Sequence, residues 1–181
     1  MSEKLLQRIF KKVYGKPSWD VHKSDYSIIL FQFGKPKLNI WRKVIQPTKG
    51  RNYPRRRVRV HGDWRLWIWG CDWEIRQSNG KICNSNSPYE KINRGCAILD
   101  GQILTNVVVS PKNLVTDFHF DLGGHLQTKP YKKEDESDSM WSLFCPNGHV
   151  FSLKSDGNYS YASGKTPGDK VRCKPFIFDL R

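Results

Sequence analysis

Two stretches of the chain repeat their apolar residues at the spacing of a helix. Near the N-terminus, the apolar residues that share one helical face are Leu5, Leu6, Ile9, Phe10 and Val13. This spacing, with lysines and arginines on the opposite face, predicts an amphipathic helix over residues 2–14. A second helix is predicted over residues 88–99, because Ser87 and Pro88 form a start signal and Gly101 forms a stop signal.

Over most of the remaining chain the apolar pattern has a period close to two, which is typical of strands. Gly123-Gly124 and the turn at residues 146–148 each lie between two such runs and therefore predict hairpins. A further hairpin is predicted across Gly34, between the apolar run at residues 28–33 and the run at residues 38–41.

These elements predict an α+β fold, mainly an antiparallel β meander with an N-terminal amphipathic helix and one central helix. We expect a single domain over residues 1–181, since a chain of this length suffices for one core. The β-rich core is predicted at about residues 26–161, and a C-terminal tail is predicted at residues 163–181.

Four tryptophans lie close together in the chain, at Trp64, Trp67, Trp69 and Trp73. The last three share a parity in a strand pattern, which predicts that they fill one buried face while Trp64 lies on the other. The competing interpretation is a row of exposed indoles that stack on bases. We favour burial, because core positions are the more usual place for such a cluster.

The positive charge of the chain is concentrated near its N-terminal end. The 31 lysines and arginines outnumber the 17 acidic residues and produce a net charge of +14. Residues 1–62 hold 16 basic and 3 acidic side chains, a net charge of +13, and the rest of the chain is close to neutral. Such asymmetry indicates a basic surface suited to an acidic partner, whether a protein, a nucleic acid or an anionic lipid.

The candidate partner-binding residues lie in and directly after a segment rich in turn formers. Residues 42–56 contain Pro47, Gly50 and Pro54, which predict a mobile basic loop rather than the interior of a strand. The basic side chains of the candidate site are Lys49, Arg51, Arg55, Arg56, Arg57 and Arg59. Arginine forms paired hydrogen bonds with carboxylate or phosphate, so the segment suits an acidic protein or a nucleic acid. A merely solvated loop is the competing interpretation.

No catalytic, cofactor-binding or metal-binding residues are predicted. The five cysteines show no C-x-x-C spacing, and Cys145 with His149 would supply only two of the four ligands of a structural zinc. Asp72, Glu74 and Arg76 are weakly similar to the acidic motif of metal-dependent nucleases, with arginine in place of the usual lysine. The glycine-rich phosphate motifs do not occur, so nucleotide hydrolysis has no support.

The sequence also bears on location. No apolar run approaches the roughly 20 residues that span a bilayer. The N-terminus lacks the continuous apolar segment of a secretory signal, and the cysteines show no disulfide framework. A soluble, cytosolic protein is therefore expected.

Several short runs carry a resemblance to known proteins. They are residues 33–40, residues 62–68 with Cys71 and Trp73, and residues 99–104, 118–124 and 141–144. In these runs of core aromatics and turn glycines the chain resembles a family of small β-rich bacterial proteins that is loosely similar to immunity-type proteins. The resemblance spans about residues 26–161. It implies a β-rich fold and an immunity-like role, and it brings no catalytic residues with it.

The preferred interpretation is a non-catalytic cytosolic interaction protein that binds an acidic partner through its basic N-terminal third, in an immunity or antitoxin role. The alternative is an accessory protein that binds nucleic acid without sequence specificity, and a weaker alternative is a metal-dependent nuclease. Exposed aromatic side chains near the arginines would favour nucleic acid, and Trp41 and Tyr53 are the candidates in the sequence.

Overall fold

The computed structural model describes residues 2–48, 51–78, 80–131 and 138–178, with side chains described outside residues 41–55. The helices are α1 (Ser2–Phe10) and α2 (Tyr89–Leu99). The strands are β1 (Ser18–Lys23), β2 (Ile29–Phe33), β3 (Lys37–Thr48), β4 (Arg51–His61), β5 (Trp64–Ile68), β6 (Cys71–Gln77), β7 (Gly80–Asn84), β8 (Leu104–Val109), β9 (Thr116–Phe120), β10 (His125–Pro130), β11 (Ser139–Phe144), β12 (His149–Lys154), β13 (Asn158–Ser163) and β14 (Lys174–Pro175).

The strands form two large antiparallel sheets and one separate two-stranded ribbon. The larger sheet has seven strands in the order β1-β2-β5-β11-β12-β13-β14. The smaller sheet has five strands in the order β7-β6-β10-β9-β8. β3 and β4 pair with each other. Together with one N-terminal and one central helix, this arrangement confirms the predicted α+β class.

The two large sheets pack face to face, and their facing side chains form the core. Phe31 of the seven-stranded sheet stacks on Phe120 of the five-stranded sheet, with ring centroids 6.0 Å apart. Trp141 is fully buried between the sheets, where its Nε1 donates a hydrogen bond to Thr116 Oγ1 at 3.1 Å. Strand alternation explains this core, because every second side chain faces the opposite sheet.

α1 packs against this core through Phe10, and it is shorter than the helix predicted over residues 2–14. Beyond Phe10 the chain continues in turns, since the Val13 N–H bonds to the carbonyl oxygen three residues before it. The Tyr14 hydroxyl then accepts a hydrogen bond from the backbone N–H of Val107 at 3.0 Å. α1 therefore ends at Phe10, and the turns that follow bring the Tyr14 hydroxyl to β8, which the apolar spacing alone does not reveal.

α2 and two of the predicted hairpins are confirmed. α2 begins at Tyr89 without a side-chain cap, because the Ser87 hydroxyl donates to Asn84 Oδ1 instead. β9 and β10 pair across Gly123-Gly124, and β11 and β12 pair across residues 146–148. Turn residues were a sufficient signal here, because a short connection makes consecutive strands neighbours in the sheet.

The hairpin predicted across Gly34 is wrong. β2 lies inside the seven-stranded sheet, with β1 on one edge and β5 on the other, so neither edge is left for β3. Its core-facing residues Ile29, Phe31 and Phe33 are buried, and Gln32 is buried on the other face. The chain therefore leaves the sheet after Gly34 and begins the ribbon.

The tryptophan prediction is wrong in its choice of face. Trp64 lies in the core, Trp67 is half-buried on the outer face of the same sheet, and Trp69 is exposed. Trp73 is buried, but it belongs to the other sheet. The chain changes sheets at Gly70, between β5 and β6, so the parity of one strand does not continue into the next.

The loop predicted over residues 42–56 is also wrong, because the backbone of β3 and β4 forms strands through most of it. Pairing extends as far as Thr48 opposite Arg51. Pro47 and Pro54 are compatible with this arrangement, since each strand of a two-stranded ribbon has an unpaired edge toward which a proline nitrogen can face.

The described part of the predicted C-terminal tail is joined to the N-terminus. β14 pairs with β13 and extends the seven-stranded sheet. The Ser2 hydroxyl donates to the Pro175 carbonyl oxygen at 3.3 Å and accepts from the Ile177 N–H at 3.1 Å. The two ends of the described chain are therefore held side by side.

We predict that Trp141→Ala lowers the free energy of unfolding by about 3–5 kcal/mol, because it leaves a large cavity between the sheets. Trp69→Ala is the matched control, since that side chain is exposed, and should change stability by less than about 1 kcal/mol. Urea unfolding followed by circular dichroism measures both. Equal losses in the two variants would contradict this placement of the core.

Candidate interaction surface on a basic ribbon

The predicted partner-binding residues lie on the ribbon formed by β3 and β4. Its strands pair from Lys37 opposite His61 at the base to Thr48 opposite Arg51 at the far end. The connection at residues 49–50 lies outside the described residues. A strand of 12 residues such as β3 is roughly 40 Å long, so the ribbon has two extended faces.

Contacts at its base hold the ribbon against the seven-stranded sheet. Lys37 pairs with Asp63 (Nζ–Oδ1 2.6 Å), and the Lys35 backbone N–H donates to Asp63 Oδ2 at 3.0 Å. The backbone N–H of Gly62 donates to Gln32 Oε1 at 2.9 Å. The hydrogen bond from Lys37, followed by that from Lys35, holds the pKa of the Asp63 carboxyl below its ordinary value.

The structure divides the predicted site residues between two faces. Exposed on β4 are Arg56, Arg57 and Arg59. Strand alternation places Arg57 and Arg59 on one face and Arg56 on the other. Lys49 lies outside the described residues, and the side chains of Arg51 and Arg55 do so as well, although their backbone belongs to β4.

The face that bears Arg56 also carries an aliphatic patch, which consists of Leu38, Ile40, Val58 and Val60. Val60 lies opposite Leu38 and Val58 lies opposite Ile40, so the four side chains are cross-strand neighbours. They are 64%, 58%, 53% and 48% exposed, in chain order. A contiguous set of exposed aliphatic side chains indicates an interaction site, whereas single exposed ones need no explanation.

The opposite face of the ribbon turns toward the seven-stranded sheet, and the two enclose a groove that we call the ribbon groove. Asn39 and Arg59 line it from the ribbon. Trp19, Arg65 and Trp67 line it from the sheet. Its volume is about 800 Å³. Because this face turns inward, most of the aliphatic patch faces away from the sheets. Val60, next to the base of the ribbon, also borders the groove.

The arginines are evident in the sequence, but the aliphatic patch is not. The alternation of residues 57–61 was visible, but a period of two shows only that the two faces of a strand differ. A strand face is covered only where a second layer of structure packs on it. In the described part of the chain, no such layer packs on the aliphatic patch. Trp41 and Tyr53 have side chains outside the described residues, and the aromatic rings found beside the arginines are those of Trp19 and Trp67.

The carboxylates that a metal-dependent nuclease would use, those of Asp72 and Glu74, bind neighbouring side chains instead. Arg76 and Lys81 both pair with the Glu74 carboxylate, Lys81 at an Nζ–Oε2 distance of 3.0 Å. Burial acts to raise the pKa of Glu74, but these two cations outweigh it and hold the pKa below its ordinary value. Asp72 accepts a hydrogen bond from Ser85. Within the described residues, no group of three or more His, Cys, Asp or Glu side chains is placed to hold a metal ion.

Cys145 and His149 form the closing pair of a turn. The Cys145 N–H donates to the His149 carbonyl oxygen at 2.8 Å, between β11 and β12. The thiol of Cys145 is buried, and burial raises its pKa to about 11. The His149 ring packs against Tyr161, with ring centroids 5.1 Å apart. Both residues thus contribute to the hairpin and the strand beside it.

No protein-family model, no curated protein and no solved structure matches this chain. Among the described residues, no helix is both long enough and apolar enough to cross a lipid bilayer.

We predict that Gly62→Ala destabilises the protein by about 1–3 kcal/mol through overpacking at the base of the ribbon. A β-carbon at Gly62 would lie 2.5 Å from the carbonyl oxygen of Phe33 and 2.8 Å from its nitrogen, and backbone atoms cannot move aside as a flexible side chain can. Gly168→Ala is the control, because a β-carbon there meets nothing within 4 Å. Thermal unfolding of both variants measures the difference, and equal stability would show that the base is not packed this closely.

We also predict that the contact at the base of the ribbon titrates in acid. Because the pKa of Asp63 is lowered on folding, its carboxylate stabilises the fold fully above its ordinary value of 3.8, and this contribution is lost as the pH falls through the folded pKa. The Lys35 amide resonance should follow this titration, since its N–H donates to Asp63. Nuclear magnetic resonance should show a midpoint below 3.8 that disappears in Asp63→Asn. A midpoint at or above that value would contradict the contact.

Proposed function

We propose that this protein is a non-catalytic cytosolic interaction protein whose ribbon binds an acidic partner protein, in an immunity or antitoxin role. The observation that carries the proposal is the aliphatic patch, which lies exposed on the outward face of the ribbon within the most basic part of the chain. The five cysteines are free thiols, four of them buried, which supports a reducing compartment.

The aliphatic patch favours a protein as the partner. Removing apolar surface from water stabilises a complex by about 25 cal/mol per Å² when the partner also presents apolar surface. The phosphate backbone of a nucleic acid presents none, because its outer surface is charged. Protein interfaces combine an apolar centre with a polar rim, and Arg56 stands beside Val58 on the same face in such a rim position.

The charge of the ribbon favours an acidic partner. No acidic residue occurs between positions 42 and 62, and the exposed cations of β4 include Arg56, Arg57 and Arg59. A field of one sign steers an oppositely charged protein toward the site and raises the association rate more than the affinity. The aliphatic patch then supplies the part of the binding energy that salt does not screen.

Nucleic acid is the second candidate partner, and a specific observation favours it. Arg59 lies on the inward face of the ribbon and lines the ribbon groove together with the half-buried indoles of Trp19 and Trp67. Arginines beside aromatic rings are typical of surfaces that bind single strands. The two candidates use opposite faces of the ribbon, so variants of one face distinguish them.

The test is a pair of ribbon variants with matched controls. The double variant Ile40→Thr, Val58→Thr removes apolar area at a cross-strand pair and keeps β-branched side chains, so the strands should persist. Val108→Thr is its control, since Val108 is an exposed valine on β8. Arg56→Gln removes the charge beside the patch, and Arg94→Gln on α2 is the matched control.

We predict that the immobilised parent protein captures an acidic protein from nuclease-treated lysate of its source cells. Once that partner has been identified and purified, it should bind the parent protein directly in isothermal titration calorimetry. The double variant should weaken that binding about tenfold or more, because side chains at the centre of an interface carry most of its energy. Arg56→Gln should slow association and reduce its salt dependence. Val108→Thr and Arg94→Gln should bind as the parent does.

Three results would contradict the proposal. If the purified partner binds the double variant as tightly as the parent, the aliphatic patch lies outside the interface. Capture that disappears after nuclease treatment would assign the ribbon to nucleic acid. The third result is that no protein binds directly, while anionic phospholipid vesicles bind the parent but not the double variant. The aliphatic patch would then be a site for a lipid surface.

A further inference from the structure

A second site lies on the opposite side of the ribbon from the aliphatic patch. The ribbon groove lies between the inward face of the ribbon and the outer face of β1, β2 and β5. Its volume of about 800 Å³ lies within the range of small-molecule sites, roughly 300–1,000 Å³. The chemistry of its lining indicates what it holds.

Two indole rings form the floor of the groove, and both are held in place. The Trp19 Nε1 donates a hydrogen bond to the Gly34 carbonyl oxygen at 3.0 Å. The Trp67 ring packs against Phe144, with ring centroids 4.6 Å apart. Both indoles are half-buried, so each keeps some surface open to the groove. Rings that are fixed in advance can stack on a planar ligand without losing side-chain freedom.

Arg65 places a positive charge beside Trp67, two residues away on β5 and on the same face of the sheet. It is half-buried, and its guanidinium carbon lies 4.7 Å from the centroid of the Phe144 ring. Burial lowers the pKa of Arg65, although an arginine remains charged. None of the ion pairs among the described residues joins a carboxylate to Arg65. A partly desolvated cation without a carboxylate is suited to an anion brought by a ligand.

The remaining polar groups of the groove add hydrogen-bond donors. Gln32 lines it between Trp19 and Arg65, and since its Oε1 accepts the Gly62 N–H, its Nε2 hydrogens remain as donors. Asn39 and Arg59 face the floor from the ribbon. The groove also contains the carboxylate of Asp20, which lies 3.2 Å from His22 Nδ1. Around the two aromatic rings, donors and cations thus outnumber the single carboxylate of the lining.

We propose that the ribbon groove binds a nucleotide unit, with the base stacked on Trp67 and the phosphate paired with Arg65. The aromatic base of such a ligand suits the indole rings of the groove, and its phosphate suits the arginine. The unit could be a free nucleotide or an unpaired nucleotide of a single strand, since both present the same chemistry. Duplex bases are already stacked on one another and cannot reach the indoles.

The test uses the full chain with three probes: adenosine monophosphate, a short fluorescein-labelled oligodeoxyadenylate and inorganic phosphate. Arg65→Gln and Trp67→Leu remove one element each. Their matched controls are Arg94→Gln, an exposed arginine on α2, and Trp69→Leu, an exposed tryptophan outside the groove. Trp67→Phe keeps a stacking face and separates loss of stacking from loss of folding.

We expect the oligodeoxyadenylate to bind with quenching of tryptophan fluorescence, and Trp67→Leu to weaken its binding about tenfold, the effect of losing one stacked base. Arg65→Gln should also weaken it and should reduce the slope of log affinity against log salt by about 0.7. Trp67→Phe should restore most of the affinity, and both control variants should bind as the parent does. Fluorescence anisotropy measures all of these.

Adenosine monophosphate that binds with the same dependence on Arg65 and Trp67 would identify a free nucleotide as the ligand, and binding of the oligonucleotide alone would identify a single strand. The proposal is overturned if neither binds, if inorganic phosphate competes as well as the nucleotide, or if the control variants lose as much affinity as the groove variants. The double variant Ile40→Thr, Val58→Thr should bind the oligonucleotide unchanged. The groove and the aliphatic patch can therefore fail independently.

Discussion

The position of the ribbon depends on one close approach of backbone to backbone. Gly62, which joins β4 to β5, lies so close to Phe33 at the end of β2 that no β-carbon would fit. Beside it, Asp63 binds the Lys37 side chain and the Lys35 N–H. Because β2 and β5 are paired inside the sheet, this junction determines where the ribbon leaves the sandwich and which of its faces turns back over the sheet.

The ribbon can carry two kinds of surface because it has only one layer. A strand within the sandwich turns one face to the core, so only its other face is open to partners. In the ribbon the outward face is open and the inward face borders the ribbon groove, so both can contact a ligand, and alternation gives each face its own chemistry. Val58 lies on the outward face with its cross-strand neighbour Ile40, and Arg59 follows it on the inward face, while Val60 at the base also borders the groove.

Charges are arranged differently on the outer face of the five-stranded sheet. There Glu74 is shared by Arg76 and Lys81, and Asp117 binds His125 at 2.7 Å. Glu74 and its two cations neutralise one another on this sheet, and such pairing leaves little field for a partner. The basic N-terminal third has few carboxylates of its own, so its field extends into the solvent.

The sequence by itself determined the α+β class, the position of α2, the hairpins at Gly123-Gly124 and residues 146–148, and the uneven charge. These features depend on residues close together in the chain, through periodicity, turn chemistry and composition. Only the tertiary structure decided that α1 ends at Phe10, that residues 42–56 form strands, and that parity breaks at Gly70. It also decided which face of the ribbon is covered, because covering a face requires a layer whose residues lie far away in the sequence.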